Sequence, residues 1–271
     1  ETSVMNAVRL PALVVIIALI VGAFVFQVQI EEEASQSKEP LAYSELSFGL
    51  PLEETSGDVW FCLGPTNKLD GVDNQSINIS NLSSVGTEGL KWTISDSEGN
   101  VAERAIQVEG KSQLEILTSQ EKDTAEYVGV TLEAPTGDVL VDQYLEASEY
   151  SGLDQGFCGT TTSSSWVVPW GTTERPGAKQ TLLLYNPFQA VAVADLLFVG
   201  DQGLRETLDS QGIVIPGRSV VAYELTERIP DAPLLSSYVE VRTGQLVVSG
   251  LSIADGTAPS GIKGLSIVPG S

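Results

Sequence analysis

The sequence predicts a mainly β protein: one N-terminal transmembrane helix followed by two tandem antiparallel β-sandwiches of immunoglobulin-like type, related by internal duplication. Three observations predict it. The chain opens on a long apolar run. Beyond that run, short stretches rich in β-branched residues recur about every 8 to 12 residues between Gly, Asn, Asp or Pro, the spacing of a sandwich or barrel. The same set of motifs then occurs twice, nearly in register.

The apolar run covers residues 11–26 without a charged side chain, and Val8, Leu10, Val28 and Ile30 extend it. That approaches the roughly 20 residues a bilayer-spanning helix needs. Arg9 precedes it and Glu31, Glu32 and Glu33 follow, so the cation bias places the N-terminus in the cytoplasm and the rest outside. A secretory signal peptide is the rival reading; the length of the run and the lack of a small-x-small cleavage site favour an uncleaved signal anchor. The expected organisation is a cytoplasmic tip and anchor over residues 1–30, with residues 8–30 in the lipid bilayer. A polar stalk covers 31–44, a first sandwich 45–157 and a second 158–271.

The duplication is read from paired motifs. Trp60-Phe61-Cys62-Leu63-Gly64 is echoed by Trp166-Val167-Val168-Pro169-Trp170-Gly171, and the run from Gln75 to Asn81 by the run from Gln180 to Asn186. Gly110 and Gly217 lie 107 residues apart, as do Gly137 and Gly244. A constant offset across separate motifs implies two copies of one fold. Alternation in Leu114-Glu115-Ile116-Leu117-Thr118 and in Tyr238-Val239-Glu240-Val241-Arg242 sends every second side chain to a core.

Charge narrows the partners. With 36 Asp and Glu against 14 Lys and Arg, the formal charge is −22. A nucleic-acid backbone needs basic side chains to displace its counterions, so no nucleic acid is expected. Trp60, Trp92 and Trp166 read as core; Trp170, between Pro169 and Gly171, reads as partly exposed, and with Tyr185 it forms the candidate ligand-stacking surface.

There is no His in the chain. This removes Ser-His-Asp and Cys-His machinery and every His-based metal site. No nucleophile elbow, phosphate loop or dinucleotide fingerprint is present either. No catalytic residue, metal ligand or cofactor is therefore assigned, and the chain is not expected to be an enzyme; a carboxylate-based hydrolase is the remote alternative. Asp96-Ser97-Glu98-Gly99-Asn100 lacks the later ligands of a calcium loop and reads as a hairpin turn. Cys62 and Cys158 are the only cysteines. On the extracytoplasmic side an even count favours a disulfide, with two free thiols the alternative.

Taken with the anchor, Cys62-Leu63-Gly64-Pro65, Cys158 ahead of Ser165-Trp166, and Leu184-Tyr185-Asn186-Pro187 make the chain resemble the family known as domain of unknown function 5719. Leu63 departs from that family, whose members often carry Pro there. The resemblance implies an actinobacterial envelope protein held at the plasma membrane by a single pass, with its C-terminal part extracytoplasmic. It implies no catalytic residue. The expected function is a non-catalytic scaffold that partners a membrane or wall-assembly protein; the alternative is a module that binds wall polysaccharide or another ligand.

Overall fold

The computed structural model describes residues 58–121, 125–135 and 138–271. The expected anchor, the stalk and the Thr136-Gly137 member of the repeat lie outside these residues. Among the described residues no helix is long and apolar enough to cross a membrane. The protein is mainly β, as expected: the described residues hold seventeen strands and two short 3₁₀ turns, Thr118–Gln120 and Ser148–Tyr150.

Residues 58–159 hold β1 (Asp58–Pro65), β2 (Asn74–Asn81), β3 (Leu90–Asp96), β4 (Val101–Ile106), β5 (Gln113–Leu117), β6 (Tyr127–Ala134), β7 (Val139–Ala147) and β8 (Gly152–Phe157). They form two sheets in the orders β1-β6-β3-β4 and β5-β2-β7-β8. Residues from 163 onward hold β9 (Ser165–Val168), β10 (Ala178–Asn186), β11 (Ala192–Gly200), β12 (Gly203–Arg205), β13 (Ile213–Ile215), β14 (Ser219–Glu224), β15 (Leu235–Thr243), β16 (Val247–Asp255) and β17 (Lys263–Pro269). Their sheet orders are β9-β15-β11-β12, with β13 also on β11, and β14-β10-β16-β17. The described strands pair antiparallel throughout.

Alternation builds each core. In the first half Trp60, Ile77, Trp92, Val130, Leu132 and Val141, from both sheets, meet in one apolar cluster. In the second, Trp166, Leu182, Leu196, Phe198, Val239 and Val248 do the same. Because successive strand residues face opposite sides, the residues between these point away from the core.

The halves agree in detail. Asn81 donates from Nδ2 to the carbonyls of Val85 and Val108, and its Oδ1 accepts the Ser83 N–H. Asn186 donates to those of Ala190 and Ile215 and accepts from Phe188. Lys111 and Arg218 both take φ of 54°, and each follows a glycine whose missing Cβ lets a neighbouring carbonyl approach. Ser112 Oγ donates to Glu109 O as Ser219 Oγ donates to Pro216 O. Gln75 lies under Gly64 and Gln180 under Gly171, each where a Cβ would collide with the amide.

The first half closes on Cys62–Cys158, a disulfide between residues 96 apart with Cα atoms at 4.7 Å. Beside it, Phe61 and Gly159 exchange backbone hydrogen bonds of 2.7 and 2.9 Å. The expected boundary after residue 157 thus falls inside this closure, with Cys158 in the first core. In the second half Val167 and the C-terminal Ser271 exchange the matching bonds, 2.9 and 3.0 Å, with Val168 and Gly270 where the cysteines stand.

A third apolar cluster joins the halves. Leu63, Val72, Leu145, Ala147 and Tyr150 pack against Leu183, Tyr185, Val220, Val247, Leu251, Ile253, Leu265 and Ile267. The outer face of the β14-β10-β16-β17 sheet is laid on the outer face of β1-β6-β3-β4 and, at its β16-β17 side, on the end of β7, the Ser148–Tyr150 turn and β8. The described residues accordingly form one compact unit.

Candidate functional site

Of the two expected stacking residues, the structure exposes one. Trp170 is 37% exposed, whereas Tyr185 is 1% exposed and offers no face to a ligand. Tyr185 points from β10 into the third cluster because Leu182 and Leu184, its neighbours in the alternation, take the second core. Its ring lies flat on Gly129 of β6, where an added Cβ would come within 2.6 Å of two ring carbons. Its hydroxyl is 2.7 Å from Thr131 Oγ1. Burial raises the Tyr185 phenol, partly offset by the Thr131 bond, so the group stays neutral and structural.

Trp170 owes its exposure to an insertion. Trp166 to Gly171 is one residue longer than Trp60 to Gly64, and the extra length falls in the stretch that carries Trp170. The ring lines a shallow groove of ≈ 140 Å³ with Thr172, Ser252, Ile262, Lys263 and Leu265. Ile262 is also partly exposed, at 39%. Two of the three hydroxyls in this lining donate internally, Thr172 Oγ1 to Ala232 O and Ser252 Oγ to Gln180 Oε1; Ser266 is the third. The groove therefore offers stacking and one ammonium, with few polar groups left to read a ligand.

The remaining predicted positions have structural partners. Trp60, Trp92 and Trp166 are buried, as expected. Asp96 forms the hairpin between β3 and β4: its carboxylate accepts from the backbone N–H of Glu98, Asn100 and Ala125 and from Asn100 Nδ2. Among the described residues no three His, Cys, Asp or Glu side chains gather as metal ligands.

The carboxylates that shift all shift down, the direction opposite to that of a general acid. Asp209 is held at about 2, first by Arg228 Nε at 2.7 Å and then by hydroxyl bonds from Tyr223 and Thr207, both at 2.9 Å. Arg228 also lies 4.3 Å over the Tyr223 ring. Asp73, Asp231 and Asp255 are lowered by hydrogen bonds from Ser148, Arg175 and Thr257. These groups pin loops.

Sequence reasoning missed one surface, the outer face of the β9-β15-β11-β12 sheet. Val167, Tyr238 and Leu197 form one row across three strands, and Ser236, Val199 and Leu204 the next. Val167, Val199 and Leu204 are 40%, 50% and 65% exposed, and Leu234 beside them 51%. The matching face of the first half is the one buried under the second half. A signal for it was present in the apolar residues at both parities of β11, which no soluble one-sided sheet requires.

The family model described as "Family of unknown function (DUF5719)" matches residues 133–264. The match contains Cys158, Trp166 and the stretch 184–187, and bears out the resemblance over that span; Cys62-Leu63-Gly64-Pro65 and the expected anchor lie outside it. No curated protein matches the sequence. One solved structure, described as "Crystal Structure of Thermotoga maritima 1070", aligns with 41% of this chain and 96% of its own at 16% identity, with a TM-score of 0.31. A likeness at that level carries no weight for the fold.

Proposed function

We propose that the chain is an extracytoplasmic scaffold, tethered at its N-terminus to the plasma membrane of an actinobacterial cell, that holds an envelope protein by surface contact. Its folded part is read as two β-sandwiches descended from one by duplication. The matching strand orders, the paired Asn81 and Asn186 networks and the twin glycine-glutamine contacts support that descent.

The observation that carries the scaffold reading is the third apolar cluster. Two modules joined by a polar linker would move independently. Here Tyr185 seated on Gly129, with aliphatic side chains around it, fixes one module on the other, so every outer face keeps a set orientation. Fixed spacing suits a protein that presents a surface to a partner.

Gentle detergent extraction from the native cell, followed by affinity recovery of the full-length chain, tests the reading. A partner in fixed proportion is expected; recovery of the chain alone overturns it. The alternative, a ligand-binding module, draws on the Trp170 groove. Binding of wall fragments that is unchanged by Trp170→Ala removes that site.

A further inference from the structure

The sheet face that the second half lays into the joint has a counterpart in the first half, on the outside of β5-β2-β7-β8, and the two differ in chemistry. Strand register sets Asn78, Asp142 and Phe157 in one row of that outer face and Ser76, Tyr144 and Gln155 in the next. In the second half the places of Tyr144 and Gln155 are held by Leu251 and Ile267, which pack into the joint. Where its counterpart is aliphatic, the first half thus carries aromatic rings among amides, hydroxyls and a carboxylate.

Several of these polar groups are not used by the fold. Ile77 and Ile79 enter the first core, so alternation sends Ser76 and Asn78 outward. Ser76 is 1% exposed and its hydroxyl has no hydrogen-bond partner among the described residues, a cost that buried polar groups rarely carry. Asp142 accepts the Asn78 amide on Oδ1 at 2.9 Å. The Tyr144 hydroxyl and the Gln155 amide bond to no other group among the described residues. Phe157 stands half exposed at the β8 edge. It is a diagonal cross-strand neighbour of Tyr144, about 7–8 Å away at ordinary sheet geometry.

Rings set beside hydrogen-bonding groups match a sugar. The C–H bonds on one face of a pyranose are slightly positive and settle on the negative face of an aromatic ring, while the hydroxyls at its edge bond to carboxylate, amide and hydroxyl groups. A protein surface suits the face less well. Interface centres are depleted of charge, and a protein laid here would bury Asp142 with Asn78 as its one bonded partner. An anionic ligand is repelled by Asp142 and Glu115 on a chain of charge −22. An open sheet face is broad and shallow, so it receives an extended ribbon of sugars better than a coiled one.

We propose that the outer face of β5-β2-β7-β8 binds an uncharged glycan whose pyranoses are joined into a flat ribbon. Phe157 and Tyr144 lie under neighbouring sugars, and Asp142, Asn78 and Gln155 bond to their hydroxyls. A sugar hydroxyl, or a water it holds, supplies the partner that Ser76 lacks. The site is on the other half from the Trp170 groove and does not depend on a protein partner being held elsewhere.

Isothermal titration of the purified full-length chain with cellohexaose and with N-acetylchitohexaose is the test. Both are flat and neutral, and the pair shows whether an acetamido group is wanted. Maltohexaose, which coils, and the galacturonic acid hexamer, which is anionic, serve as comparisons. At least one flat neutral hexamer is expected to bind, and the two comparisons about tenfold more weakly or not at all. Phe157→Ala and Tyr144→Ala each weaken binding about tenfold, Tyr144→Phe much less because it keeps the ring, and Trp170→Ala changes nothing. The melting temperature of Phe157→Ala stays at the parent value, since its ring is half exposed. No binding of either flat hexamer, or binding indifferent to Phe157→Ala and Tyr144→Ala, overturns the site; maltohexaose or the galacturonic acid hexamer binding as tightly as the flat neutral chains overturns the ligand's class.

Discussion

Replacing Gly129 by Ala tests the joint between the halves at its tightest point. The new Cβ would lie 2.6 Å from Cγ and Cδ2 of Tyr185 and 2.8 Å from Cε2, when ordinary contact begins near 3.4 Å. The ring cannot swing aside, being 1% exposed among Leu63, Leu183 and Val220 and hydrogen-bonded through its hydroxyl to Thr131. Such overpacking costs about 1–3 kcal/mol, against about 0.5–1 kcal/mol gained by removing a glycine from a strand. A net loss of about 1–2 kcal/mol follows. Tyr185→Ala alone empties the site and costs about 3–5 kcal/mol by analogy with buried Phe. In that background Gly129→Ala meets no ring, so its cost vanishes and a coupling of about 2 kcal/mol remains. Urea denaturation of the purified full-length chain reads this directly, because Trp60 and Trp92 report on the first half and Trp166 and Trp170 on the second. The parent unfolds in one transition; the single variants separate it into two as the halves uncouple. If the two substitutions prove additive within about 0.5 kcal/mol, or Gly129→Ala is silent, the joint does not hold the halves together as argued.

Other outcomes follow from the same geometry. Cys62→Ser with Cys158→Ser opens a closure between residues 96 apart and lowers the stability of the first half by about 4–5 kcal/mol on the chain-entropy account, measured as a fall in its denaturation midpoint without reductant. Asn81→Ala and Asn186→Ala each remove the bonds to a corresponding pair of carbonyls, of Val85 and Val108 in one half and of Ala190 and Ile215 in the other, and cost about 1–3 kcal/mol; a loss in one half with none in the other contradicts the equivalence of the two networks. Asp209, folded at about 2 against about 3.9 unfolded, contributes stability that is full above about pH 4 and lost as pH falls toward 2. Asp209→Asn flattens the acid limb of the pH–stability curve between those values, and an unchanged limb refutes the Arg228 and Tyr223 contacts as its cause.

The parts of the fold legible in the sequence were those fixed by local chemistry. Alternation placed Ile116 and Val239 in cores. The Asn81 and Asn186 turns and the Gly110 and Gly217 pair showed because a side-chain amide or a missing Cβ satisfies a nearby backbone, and such needs leave a mark at fixed spacing. The disulfide was legible from the even count of cysteines and from the extracytoplasmic location expected of the chain. Tyr185 misled because an aromatic at the end of a strand has the same local context whether its outer side meets water or another sheet. Only the joint, made between residues far apart in sequence, decides. For the same reason the bare face of β9-β15-β11-β12 escaped notice: Val167, Leu197, Val199 and Tyr238 are unremarkable one by one and become a surface only when pairing sets them side by side.

The way the halves meet makes a demand on any pair of like modules packed in this way. A face of one type on the first half receives a face of another type from the second, a heterologous contact, which leaves one unsatisfied face of each type at opposite ends. Repeated between molecules, such a contact does not close and builds open chains. The first half differs at the centre of its free face: Ser80 stands where the second half has Tyr185, Asn78 where it has Leu183, and Glu115 where it has Ala222. The Asn78–Asp142 bond makes the centre of that sheet polar, while Phe157 and Leu153 at its β8 edge stay 50% and 62% exposed. The second half leaves Val199 and Leu204 apolar and exposed at the other end. Solubility alone favours polar residues at both ends. Substituting Val199→Lys with Leu204→Lys asks what the exposed face of β11 and β12 is for: on the scaffold reading partner recovery from the native cell falls while the melting temperature of the purified chain holds, and unchanged recovery removes that face from the contact.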